Sequence, residues 1–163
     1  MKRVTALLLA CLLLCGCGKK NEPAGIRFYY PRKDYVYQVT GGSVGFETRD
    51  VTQEDLSYVL RVYLLGPQDE ALEAVYPSDV RLESAQIDGS TVTVRLSPIG
   101  NRMTDISFTL AASCLAKTCF SLTGTTNMIL QSGDRRLTLE ESQLTFQDTS
   151  ASLGTEETER TNE

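Results

Sequence analysis

Apolar positions recur along the chain with two periods, and the changes between them divide it into elements. Leu56, Val59, Leu60, Tyr63 and Leu64 fall at i, i+3, i+4, i+7 and i+8, one face of an amphipathic helix. Thr52 is the expected N-cap, with Gln53, Glu54 and Asp55 in the first turn, where the helix dipole favours acids. Gly66 supplies the left-handed C-terminal position, and Pro67 stops continuation. Gln68–Ala74 is read as one or two more helical turns before Tyr76-Pro77. A second period-3.6 stretch joins Phe108, Ala111, Ala112, Leu115, Cys119 and Leu122 over 105–122, capped by Thr104 or Asp105 and ended by Gly124.

Alternation with period two marks the strands. Ile26, Phe28 and Tyr30 share one side of an opening strand, with Arg27 and Tyr29 on the other. Tyr35–Thr40 reads as a strand broken by Gly41-Gly42-Ser43, and Val44–Val51 as a further short one. Val80–Ile87 and Thr91–Ser97 flank Asp88-Gly89, a two-residue hairpin signal. Val92, Val94 and Leu96 share a face, whereas Ala85 and Ile87 are one step out of phase with Val80 and Leu82. A bulge near Glu83-Ser84 restores the register. Pro98–Arg102 is a loop. Asn127–Gln131 and Leu137–Leu139 flank the turn at Ser132-Gly133-Asp134, and Leu144 and Phe146 close an edge.

Strands, helix, hairpin, helix, strands: this order predicts an α+β fold. It is a two-layer sandwich with a mixed or antiparallel sheet covered on one face by two helices. The other face carries Thr91, Thr93 and Arg95 and is expected to stay wet.

The N-terminus changes the picture most. Lys2 and Arg3 precede an apolar run over 4–14 that is too short to span a bilayer. This is the pattern of a secretory signal peptide. It ends in Leu14-Cys15-Gly16-Cys17, followed by polar residues. The motif resembles the bacterial lipobox. The resemblance implies cleavage before Cys17, a diacylglyceryl thioether on its sulfur and acylation of the new N-terminus. Two acyl chains or more give stable anchoring, where one is marginal. The expected organisation is a signal peptide over 1–16, a tether over 17–25, a domain over 26–147 and a disordered acidic tail over 148–163. The expected location is the extracytoplasmic face of the cell membrane.

Composition closes several options. The chain has no histidine, which excludes Ser-His-Asp and Cys-His nucleophile systems and His-based metal sites. A net charge of −5 gives no phosphate-binding surface, so nucleic acid is not expected as a partner. Cys114 and Cys119 stand at i, i+5 of one helix, too far apart for an unstrained disulfide; at least one of them reads as a buried small hydrophobe, with a CxxxxC metal or redox site as the alternative. Asp69, Glu70 and Glu73 form an acidic cluster, and Glu140-Glu141 a second. Solvated charge is the expected role of both rather than a cation or acid–base site. Phe28, Tyr29, Tyr30, Tyr35 and Tyr37 are read as half-buried strand residues, with a sugar- or peptide-stacking platform as the alternative. Arg32-Lys33 and Arg135-Arg136 are two short basic pairs that can touch wall polymer or lipid heads. No catalytic residue, cofactor or metal is expected, so the chain is not read as an enzyme.

The ordered elements resemble the GerMN domain family of sporulation and germination proteins. The residues that carry it are Ile26-Arg27-Phe28-Tyr29-Tyr30, Leu64-Leu65-Gly66-Pro67, the Pro77 turn, the strand over 91–97 and Met128-Ile129-Leu130-Gln131-Ser132-Gly133. Ser78-Asp79 stands where the family often has a Gly-Thr-like turn. The resemblance implies an extracytoplasmic domain, similar in fold to ring-building motifs, that acts by packing against a protein partner or copies of itself. Binding of peptidoglycan, wall polymer or a small ligand by the aromatic strand surface is the alternative.

Overall fold

The computed structural model describes residues 25–33, 43–53, 55–144 and 149–150, the last two as backbone. Strand β1 is Ile26–Pro31, β2 is Val44–Arg49 and helix α1 is Leu56–Leu64. Strands β3 (Leu82–Asp88) and β4 (Thr91–Leu96) form the hairpin, and helix α2 (Asp105–Thr123) follows. Strands β5 (Asn127–Ser132) and β6 (Arg135–Glu140) form a second hairpin, and β7 is Thr149–Ser150.

The protein is α+β. Its larger sheet has the order β3-β4-β5-β6. The β4–β5 pair is parallel and the outer two pairs are antiparallel, so the sheet is mixed. Val92, Val94, Leu96, Met128 and Leu130 turn one face inward and are at most 1% exposed. Both helices pack on that side and share its core. The opening strands do not extend this sheet. They form a second one, of order β1-β2-β7, with β1 and β2 antiparallel and β7 parallel to β2. The expected strand over 35–40, Phe146 and most of the expected tail lie outside the described residues. Thr149–Ser150, at the start of that tail, pair with Gly45 and Phe46.

Several local expectations change. The N-cap of α1 is Asp55, whose carboxylate accepts from Tyr58 N–H at 3.0 Å, and not Thr52. An acceptor three residues ahead of the donor is the capping geometry, and Asp55 stands at that distance from Tyr58. Gln68–Ala74 forms no helix. Its backbone groups are taken elsewhere: Lys33 N–H donates to Ala71 C=O at 2.9 Å, Glu73 N–H to Pro31 C=O at 2.9 Å, and Ala71 N–H to the Asp69 side chain at 2.8 Å. Hydrogen bonds to the end of β1 replace the intrahelical ones. The first hairpin turns at Gly89-Ser90, because Asp88 and Thr91 still pair. Only the first central residue has positive φ, the type II′ arrangement. The register shift between Leu82 and Ser84 is the expected bulge.

Helix α2 starts at the Thr104 cap, whose hydroxyl accepts from Ser107 N–H, and ends at Gly124 with φ 68°. Its burial is wider than a single stripe: Ser113, Cys114, Ala116, Thr118 and Phe120 are buried beside the expected set. The reason is β1, which lies against the flank of α2 turned away from the sheet core. Small side chains at Ala112, Ser113, Cys114 and Ala116 leave room for such an approach.

Candidate functional site

The most organised polar group in the domain sits on the inner face of the small sheet. Strand alternation places Glu47 and Arg49 on the same side as Phe28 and Tyr30, facing the core. Their side chains are ion-paired and only 7% (Arg49) and 9% (Glu47) exposed. Arg49 Nε donates to Glu47 Oε1 at 2.6 Å, and its Nη2 donates to Gly66 C=O at 2.6 Å. Its guanidinium lies over the Phe28 ring, 4.9 Å from the centroid. Glu47 accepts from the N–H groups of Gln68 at 3.0 Å and Asp69 at 2.7 Å.

Gly66-Pro67 is therefore clasped from both sides. The φ of 90° at Gly66 turns the chain out of α1, and the ion pair takes the peptide groups that this turn leaves open. Sequence reasoning missed Glu47 and Arg49. Their one local signal is an acid and a base at i, i+2 on one face of a strand otherwise read as apolar. The partners they hold are 17 to 22 residues away.

Beneath the clasp, Tyr30 and Tyr63 stack with centroids 4.7 Å apart. Tyr30 Oη donates to Tyr63 C=O at 2.9 Å, and Tyr63 Oη donates to Tyr29 C=O at 3.1 Å. Burial pushes both phenols well above the usual tyrosine range. Tyr76 is buried too, and its hydroxyl has no hydrogen-bond partner among the described residues. Burial likewise pushes the thiols of Cys114 and Cys119 up to about 12, and both are free and buried.

The other expected sites do not converge. Phe28, Tyr29 and Tyr30 are at most 3% exposed, so they form no exposed stacking platform, and Tyr35 and Tyr37 lie outside the described residues. Asp69 serves its own turn, while Glu70 and Glu73 are exposed. Among the described residues no group of three or more acids and cysteines is placed to hold a metal ion. Arg135 reaches back to Met103 C=O at 3.0 Å and to Asp105 at 2.8 Å, and lies over the Phe108 ring, whereas Arg136 is exposed. Asp79, in the turn where the sequence departs from the family pattern, takes two 2.5 Å hydrogen bonds from Arg102. These bonds hold its carboxyl below the usual range. Cys17 lies outside the described residues.

Among the described residues, the face of the large sheet turned away from both helices stays uncovered. A small α+β domain with a mixed sheet that carries both helices on one face is the class that these observations define. The chain belongs to the family Germane, described as sporulation and spore germination, which matches residues 27–138. Among solved structures, a 2.5 Å crystal structure of a candidate lipoprotein from Clostridium perfringens is similar at 17% identity. The match covers 68% of this chain and 76% of that one, with a TM-score of 0.37. No curated protein matches the chain at a significant level.

Proposed function

We propose that the chain is an extracytoplasmic lipoprotein held to the cell membrane by acyl chains, palmitate among them, on Cys17. Its GerMN-like domain then acts as a protein-interaction and assembly module in the cell envelope or in sporulation. The observation that carries this reading is how the buried polar groups are used. Glu47, Arg49, Thr118 and Ser132 each bind backbone of the domain itself, so the interior is given over to holding a surface in shape. The family match supports the sporulation setting, and the lipobox-like Leu14-Cys15-Gly16-Cys17 supports the anchor. The domain works without catalysis, and its partners are proteins or copies of itself. Binding of peptidoglycan or another wall polymer through an aromatic platform is not favoured, because three of the five aromatics named for it are inside.

Membrane fractionation of the wild type and Cys17→Ala tests the anchor. The wild type is expected in the membrane fraction and the variant in the soluble extracytoplasmic fraction. A variant that stays with the membrane overturns the assignment.

A further inference from the structure

The open face of the large sheet carries its charge in rows. Across the four strands, register sets Ser84, Arg95, Gln131 and Arg136 in one line. Two residues along lies a neutral line of Gln86, Thr93, Ile129 and Thr138. Two further along lies Asp88, Thr91, Asn127 and Glu140. One end of the face carries Arg95 and Arg136, with the exposed Glu83 beside them at the bulge of β3; the other carries Asp88 and Glu140, and the line between is uncharged with Ile129 half-buried at its centre. Arg95, Arg136, Asp88 and Glu140 are exposed, and no ion pair engages them among the described residues. A shallow depression lined by Thr126, Asn127, Glu140 and Glu141 opens at the acidic end. Among the described residues, neither helix and no other strand packs against this face.

We propose that this face docks a second copy of the chain, sheet against sheet, about a two-fold axis that runs along the neutral row. The charge pattern selects that axis. A two-fold along the strand direction would set basic row on basic row. A two-fold across the strands reverses the strand direction and sets basic row on acidic row. Arg136 then meets the second copy's Glu140 at the depression, and Ser84 meets its Asp88. Arg95 meets Thr91, one strand spacing, about 4.8 Å, from that Asp88. Thr93 and Ile129 face their own counterparts at the centre. A C2 contact of this kind is self-complementary, as an isologous interface must be. Packed sheets sit about 10 Å apart, so the side chains of both copies can interdigitate.

The face is small. Four strands at about 4.8 Å and six residues at about 3.3 Å give roughly 20 Å by 20 Å. That is about half of the roughly 800 Å² per partner found in stable complexes. The pairing is therefore weak in free solution, and confinement to a membrane would raise its occupancy through effective concentration. This step rests on the anchoring through Cys17 proposed above. It narrows the partner of the assembly module to the chain itself.

The test uses the full chain labelled at the C-terminus with donor or acceptor dye, mixed with lipid vesicles and, separately, in detergent at high concentration. Flotation with the vesicles reports anchoring, and energy transfer reports pairing, so the two fail independently. Wild-type copies are expected to show transfer above a randomly distributed control, falling as salt rises. Arg95→Glu with Arg136→Glu places two acidic rows on one copy and should lower the affinity at least about tenfold, and Asp88→Lys with Glu140→Lys should do the same. Mixing the two variants should restore transfer, because each supplies the charge that the other lacks. That recovery cannot come from misfolded chains. No transfer for the wild type in either setting, or no recovery in the mixture, overturns the pairing.

Discussion

The backbone N–H of Tyr29 donates to Thr118 Oγ1 at 3.0 Å, across 89 residues of sequence. The same hydroxyl donates to Cys114 C=O at 3.1 Å, one turn back in α2. The Tyr29 carbonyl accepts from Tyr63 Oη. Strand β1 thus has β2 on one edge, while the other is taken by two side-chain hydroxyls at Tyr29 and by the backbone of Ala71 and Glu73 at its end. This is why the small sheet stops at β1 and does not join β3 or β4. An edge blocked in this way also offers no template for strand addition there.

Thr118→Val keeps the shape of the side chain and removes its hydroxyl. A buried N–H left unpaired costs about 1–3 kcal/mol, and the variant is expected to lose that much unfolding free energy in denaturant titration. Thr118→Ser keeps the acceptor and should lose less than Val. Equal losses for both would show that the hydroxyl is not what closes the edge.

The Glu47–Arg49 pair gives a larger effect. Removing one member of a buried ion pair costs about 3–5 kcal/mol, because the other charge is left without its partner. Arg49→Met and Glu47→Ala are both expected in that range. Glu47→Ala should be the worse, since it also strips the acceptor from Gln68 and Asp69 N–H. A double-mutant cycle should show coupling above about 1 kcal/mol. Losses below that, or purely additive ones, would mean that the clasp does not hold the Gly66-Pro67 turn.

Tyrosine hydroxyls should sort by their partners. Tyr76→Phe removes a buried group that has none among the described residues, so its stability is expected to stay level or rise. Tyr63→Phe removes the donor to Tyr29 C=O and should cost about 0.5–1.5 kcal/mol. The two melting temperatures should move in different directions or by clearly different amounts. A loss at Tyr76 as large as that at Tyr63 contradicts the assignment.

High pH should unfold the domain through its buried acids. Burial raises the thiols of Cys114 and Cys119 from 9.0 to about 12, and the folded form holds those protons more tightly than the unfolded one. Their contribution is complete below the ordinary thiol value and is lost as pH rises from about 9 toward about 12. Tyr30, Tyr63 and Tyr76 shift in the same direction from 10.0 and steepen the loss. The free energy of unfolding is expected to fall across that window. A domain that gains stability there contradicts the burial of these groups.

Much of this fold can be read in the sequence, because both helices and both hairpins of the core carry their own periodicity. The Val92-Val94-Leu96 face and the Phe108-to-Cys119 stripe found each other as hydrophobic faces must. Gly124 and the bulge at Leu82/Ser84 were legible from local chemistry alone. What was not legible depends on distant partners. Gln68–Ala74 has helical composition, but β1 takes its backbone groups. Glu47 and Arg49 look like surface charge until Gly66-Pro67 is brought against them. The width of the buried surface on α2 depends on β1 lying alongside it, a contact that no periodicity announces. On the open face, each strand shows its polar alternation, but the charge rows exist only once register is fixed.

The proposed assembly module, tied to a membrane through one sulfur, can be weighed by the mass of its mature N-terminal peptide. The expected mature chain begins at Cys17 and carries diacylglyceryl on its sulfur and an acyl group on its amine. A mature chain with a free Cys17 thiol, or one that begins at another residue, would contradict it.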